Sequence, residues 1–148
     1  MIRKATIDDV KVIHRLLSDY AKDVVIPRSL SELYERLRDF FVYEKDGKVV
    51  GTGALSISWE DLAEIRSLVV ADECRGSGGG KELVKTCLTE AKELGISNVF
   101  VLTYIPEYFE KFGFKRADKS ELPHKVWSDC IKCPKFPDCD ETALIKKI

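Results

Sequence analysis

Apolar residues recur at helical spacing near the N-terminus, where Val10, Ile13 and Leu17 follow Thr6 and Asp9, a pair spaced as a capping box. The pattern predicts a first helix from about Ile7 to Ala21, and Pro27 interrupts it. Ser29 with Glu32 repeats the capping signal, and Leu30, Leu33 and Leu37 then share one face of a second helix. From Phe41 the period shortens. Phe41 to Lys45 reads as a strand, Asp46-Gly47 as a tight hairpin turn and Lys48 to Ser56 as its return strand. Trp59 to Leu62 reads as a connection. Ala63 to Val70 is a further strand, with Glu64, Arg66, Leu68 and Val70 on one face and Ile65, Ser67 and Val69 on the other.

A glycine-rich turn, Arg75 to Gly80, then opens a helix whose buried stripe is Leu83, Val84, Cys87, Leu88 and Ala91, with Gly95 as its stop. Val99 to Thr103 is apolar and rich in β-formers, and a short helix after Pro106 ends at Gly113. No clear periodicity follows until Thr142 to Ile148. The order of elements describes a mixed α/β (α+β) sheet with helices packed against it.

Composition narrows the class. A chain of 148 residues suits one domain, 1–148, with a Cys/Pro-containing segment at about 123–141. A hydrophobic fraction of 45% against a charged fraction of 33% is that of a globular protein. Net charge is −1, so no basic excess points to nucleic acid or an anionic membrane. No apolar run approaches the roughly 18 residues of a membrane span, and the charged, amphipathic N-terminus lacks the apolar stretch of a signal peptide. The expected compartment is the cytoplasm, where disulfides among the five cysteines are disfavoured.

The segment SLVVADECRGSGGGKELV carries the chemistry. Gly76, Gly78, Gly79 and Gly80 lack Cβ atoms, so the amides from Gly76 through Ser77 to Lys81 can approach an anion closely. With the dipole of the following helix behind them and Arg75 at the lip, they form a phosphate site. A Walker loop is excluded because Lys81 is followed by Glu82, and a dinucleotide fingerprint fails because its last position is Lys81. A merely flexible loop is the bland alternative.

RGSGGG, placed after a strand ending in Val69-Val70, resembles the pyrophosphate loop of the GNAT acetyltransferase superfamily. VFVLTY and YFEKFGF resemble that family's later motif, so the similarity covers about Val42 to Phe114. The resemblance implies a mostly antiparallel central sheet flanked by helices and splayed at an acetyl-CoA site. It implies that backbone groups around Leu68, Val69 and Val70 hold the pantetheine arm, and that Gly76 to Lys81 hold the pyrophosphate. Gly79 departs from the family, which usually has a branched aliphatic residue there, and a floppier loop would follow. Glu64 sits where several members carry a general base; a surface carboxylate is the alternative. The usual tyrosine before Glu-Lys of the short helix is Phe109 here. Its neighbour Tyr108 would point about 100° away, which leaves Tyr104 as the candidate general acid.

IPRSLSEL, AEIRSLVV, NVFVLT, YFEKFGF and ELPHKVW further resemble the acetyltransferase domain of bacterial N-acetylglutamate synthases, without the kinase-like domain of longer forms. The resemblance implies acetylation of the α-amino group of L-glutamate, the first step of arginine synthesis. Arg suits carboxylate recognition; Arg28, in a loop with no helical partner, Arg66, on the Glu64 face, and Lys125 are the candidate substrate cations. Each could instead be a solvated surface charge. Acetyl-CoA is the implied co-substrate and a small amino acid the implied partner, with neither nucleic acid nor membrane expected and a homodimer left open. Two rivals stay open: a GNAT enzyme for another small-molecule or protein amine, and a non-catalytic acetyl-CoA-binding domain, which Phe109 favours and Glu64 disfavours. DCIKCPKFPDCDE supplies Cys130, Cys133 and Cys139, with His124 or Asp138 as a fourth zinc ligand. Packing of the thiols as small hydrophobes is preferred over zinc, and no metal site is assigned.

Overall fold

The computed structural model describes residues 1–20, 28–118, 120, 122 and 141–148. The Cys/Pro segment, with Lys125, His124, Asp138, Cys130, Cys133 and Cys139, lies outside the described residues, as do Pro27 and Ala21. In chain order the elements are β1 (Ile2–Lys4), α1 (Val10–Tyr20), α2 (Leu30–Glu35), β2 (Phe40–Lys45), β3 (Lys48–Trp59), β4 (Leu62–Val70), α3 (Gly79–Glu93), β5 (Asn98–Thr103), α4 (Pro106–Glu110), β6 (Lys115–Ala117) and β7 (Thr142–Lys147). They form one seven-stranded sheet in the order β1-β2-β3-β4-β5-β7-β6. Every pair is antiparallel except β4–β5, which α3 links as a parallel crossover. Among the described residues no helix is long and apolar enough to cross a membrane.

Each face of the sheet has its own core. On one, Leu83, Val84, Cys87 and Ala91 of α3 pack with Phe41, Tyr43, Leu55, Ala63, Ile65, Val99, Phe109 and Phe114. On the other, Val10, Ile13, Leu16 and Leu17 of α1 and Leu33 of α2 pack with Phe40, Val42, Ala54, Val69 and Ala71. The predicted α3 stripe is thus in place, with Leu88 partly buried at its edge. The Asp46-Gly47 turn has positive φ at both residues (53° and 76°), the primed geometry that suits the strand twist.

Four expectations need correction. Ile7–Asp9 is a 3-10 turn, and α1 starts only at Val10, because Asp9 does more than cap. Its carboxylate accepts from the Thr6 amide at 2.7 Å and from both terminal nitrogens of Arg3, at 2.7 and 3.0 Å, which tethers β1 to the start of α1. Leu30, Leu33 and Leu37 do not form one buried face: α2 ends at Glu35, Leu37 falls in a 3-10 turn and Leu30 is exposed. Trp59 and Leu62 belong to strands joined by a tight turn rather than to a connection. The short strands β1 and β6 were not anticipated, since three residues carry too little periodicity to register.

Candidate active site

β4 ends in a 3-10 turn over Asp72–Cys74, from which the glycine loop climbs to α3. Gly76 and Gly78 adopt φ of +84° and +88°, where a side chain would be strained, and no atom lies within 4 Å of where their Cβ atoms would stand. The outer side of the loop is therefore open. Gly78 is the N-cap of α3 and supplies no side-chain cap. First-turn amides of a fifteen-residue helix have no intrahelical acceptor, a donor set that suits a diphosphate. Arg75 is exposed at the lip and paired with Asp72 at 3.1 Å, while Lys81 is exposed on the first turn of α3. Ser77 Oγ donates to the Cys74 carbonyl at 2.6 Å and accepts from the Tyr43 hydroxyl at 3.2 Å.

Below the loop the sheet forks. Parallel pairing of β4 with β5 is confined to Leu62, Ala63 and Glu64 against Asn98, Val99 and Phe100. β4 runs six residues further without β5, while β5 pairs along its whole length, Asn98–Thr103, with β7 on its other side. Among the described residues, the stretch from Arg66 to Val70, including Leu68 and Val69, has no strand on its β5 side. This is the splay expected there, and Glu64 stands at its apex.

The two-face assignment for β4 is corrected at one residue. Thr52 pairs with Val69 and Ala54 with Arg66, so two β4 residues, Ser67 and Leu68, oppose the single Gly53. Ser67 has φ of +55°, and this bulge reverses the alternation. Glu64 and Arg66 share the α1 face with Val69 and Ala54, whereas Leu68 and Val70 join Ile65 on the α3 face. Gly53 gives the Leu68 side chain room, since a Cβ there would lie 3.2 Å from Leu68 Cδ1 and push it aside by a few tenths of an ångström.

Two of the candidate substrate cations, Arg66 and Arg28, are paired with acids of this chain. Arg66 Nη1 lies 3.8 Å from Glu64 Oε1, both side chains about 15% exposed (15% and 14%). Arg28, expected to lack a helical partner, reaches Glu32 Oε2 at 3.5 Å with its side chain only 7% exposed. The reason is local: Ser29 caps α2, accepting from the Glu32 amide at 3.1 Å, and so sets Glu32 one turn beyond Arg28. Burial pushes the Asp39 carboxyl above the usual range, and the positive charges of Arg66, Arg36 and Lys4 pull against that.

Phe109 is buried in the core, edge-on to Phe114 and Tyr108. Tyr108 does not turn away from the cleft. Its hydroxyl stands 2.8 Å from where a Cβ of Gly80 would be, with Val70 alongside, and burial pushes the phenol upward, so it remains a donor. Tyr104 is half-buried directly after β5. Cys87 is fully buried, its thiol pushed up to about 12 by desolvation, and it is chemically inert.

The profile of the Acetyltransferase (GNAT) family matches residues 10–114. An uncharacterized N-acetyltransferase of Chlorobaculum tepidum is 38% identical over 99% of this chain and 96% of its own length. An amino-acid acetyltransferase of Mycobacterium tuberculosis is 36% identical over 89% of the chain and 78% of its own length. An enzyme of the same name from Ralstonia nicotianae is 35% identical over 82% of the chain, which spans only 28% of that protein. Among solved structures, Mycobacterium tuberculosis Rv2747 in complex with CoA superposes with a TM-score of 0.85 at 30% identity, over 100% and 99% of the two chains. Neisseria gonorrhoeae N-acetylglutamate synthase, complexed with coenzyme A and N-acetyl-glutamate, gives 0.87 at 27% identity, over 99% of this chain and 34% of that one. With the forked sheet and glycine loop already in place, these matches establish that the chain belongs to the GNAT acetyltransferase family.

Proposed function

We propose that the protein transfers the acetyl group of acetyl-CoA to the α-amino group of L-glutamate in the cytoplasm, as the first step of arginine synthesis. The observation that carries this reading is the placement of two half-sites on opposite faces of the sheet, joined through the fork. The glycine loop, Leu68, Val70 and Tyr108 lie on the α3 face; Glu64 and Arg66 lie on the α1 face at the apex. Acetyl-CoA supplies an activated thioester. The loop amides and Arg75 bind its pyrophosphate, and backbone groups of Leu68, Val69 and Val70 on the open edge of β4 orient the pantetheine arm and acyl carbonyl.

The acceptor approaches from the α1 face. Glu64 takes the ammonium proton, directly or through water, once the amine is at the fork. Arg66 and Arg28 receive the two carboxylates, each exchanging its present pairing with Glu64 or Glu32 for the substrate's charge. Lys125 is a further candidate for that role. Tyr104 is proposed as donor to the departing thiol, and the position of Tyr108 beside Gly80 and Val70 favours it as a second candidate. The mycobacterial and Ralstonia relatives, named amino-acid acetyltransferases, support an amino acid as acceptor, and the gonococcal synthase complexed with N-acetyl-glutamate supports glutamate among them. A thiol-release assay with a panel of amino acids and polyamines tests it. Glutamate should be the preferred acceptor; a preference for glutamine, lysine or spermidine would remove the synthase reading and leave the acetyltransferase reading intact.

A further inference from the structure

Gly79 has no backbone reason to be glycine. Gly76 and Gly78 sit at positive φ, but Gly79 does not, and it is the first residue of α3. Glycine in a helix loses more backbone entropy than any side-chain-bearing residue would. What excludes a side chain is the ring of Tyr43. A Cβ at Gly79 would run into the edge of that ring, with even Cζ at only 3.0 Å. Tyr43 comes from β2, is 8% exposed, and belongs to the core beneath α3. Its hydroxyl donates to Ser77 Oγ at 3.2 Å, and Ser77 Oγ in turn donates to the Cys74 carbonyl at 2.6 Å. One residue of the central sheet thus touches the loop at Ser77 and at Gly79, on either side of Gly78.

We infer that Tyr43 is a positioning residue for the cofactor loop: its ring fills the place of a side chain at position 79, and its hydroxyl pins Ser77. Gly79 and Tyr43 form a matched pair. The loop is then not loosened by the missing side chain, because a ring anchored in the sheet replaces it. The inference rests on the reading that this loop holds the pyrophosphate of CoA. Tyr43 lies on the α3 face, so its effect should fall on CoA and not on the acceptor.

The test is CoA binding by calorimetry, with melting temperature and steady-state kinetics, for Gly79→Val, Tyr43→Leu, their combination, and Tyr43→Phe. Gly79→Val alone should weaken CoA binding about ten- to hundred-fold, since a branched side chain overpacks the ring. Tyr43→Leu should also weaken it, and the double variant should bind better than either single variant, short of wild type only by the roughly two- to ten-fold that the lost Ser77 bond costs. Tyr43→Phe keeps the ring and loses only the Ser77 bond; it should raise the KM for acetyl-CoA about two- to ten-fold with kcat and the acceptor KM unchanged. If the leucine variants do not fold, this phenylalanine variant decides the matter. Independent, multiplying losses in the double variant, or unaltered CoA affinity in Tyr43→Phe, would overturn the pairing while the cofactor reading stands. No heat from wild-type protein with CoA would instead overturn the cofactor reading and the inference with it.

Discussion

Gly78→Val isolates the role of the glycine loop, because the structure separates its two costs. Gly78 has φ of +88°, and a valine there would adopt the left-handed region at a cost of about 1–2 kcal/mol. There is no further penalty from packing, since no atom lies within 4 Å of the new Cβ, and no side-chain cap is lost. For a domain of this size the melting temperature should fall by about 2–8 °C. CoA binding should suffer far more. The valine would stand in the open volume over the first-turn amides, and losing two charge-assisted hydrogen bonds at about 1.5–3 kcal/mol each weakens binding about 10²–10⁴-fold. Gly47→Val is the matched control. Gly47 also has positive φ, +76°, and open space around it, but it belongs to the β2–β3 turn and contributes no amide to the loop. Both variants should lose similar stability in thermal denaturation, and only Gly78→Val should lose CoA affinity in calorimetry. Equal affinity in the two variants would refute the assignment of the loop.

Glu64→Gln should lower turnover about 10²–10⁴-fold at neutral pH, with the loss shrinking as pH rises and free amine accumulates; a pH–rate profile shows whether it does. Arg28→Ala should raise the KM for glutamate and narrow a preference over glutamine of about ten- to hundred-fold, leaving acetyl-CoA binding untouched. The Arg3 guanidinium hydrogen-bonded to Asp9 holds that carboxyl below its usual range, so the pairing stabilises the fold above the unfolded-state value and is lost as pH falls through the folded one. Asp9→Asn should therefore cost about 1.5–3 kcal/mol at pH 7 in urea denaturation, and the gap to wild type should start to narrow only as pH nears about 4, the unfolded-state value, and close as pH passes below the folded one.

The local elements and the glycine turn were legible in the sequence because their physics is local. Apolar spacing marks α3, positive-φ residues mark the Asp46-Gly47 turn, and clustered glycines mark the turn that opens an amphipathic helix whichever sheet lies beneath. Strand alternation was legible only as far as Arg66. A bulge inserts one residue at Ser67, and nothing in SLVV announces it, because a bulge is a mismatch between two strands and only their pairing defines it. That single residue decides that Glu64 and Leu68 occupy opposite faces, which turns a one-sided site into two half-sites meeting at a fork. The partners of Arg28 and Arg66 were likewise hidden, since a carboxylate becomes a partner only when a cap or a strand face brings it within reach. Tyr43 and Gly79 are thirty-six positions apart and look unrelated in the chain. Only the packing of α3 onto β2 makes the glycine necessary, because steric exclusion acts through space and leaves no mark on local sequence pattern.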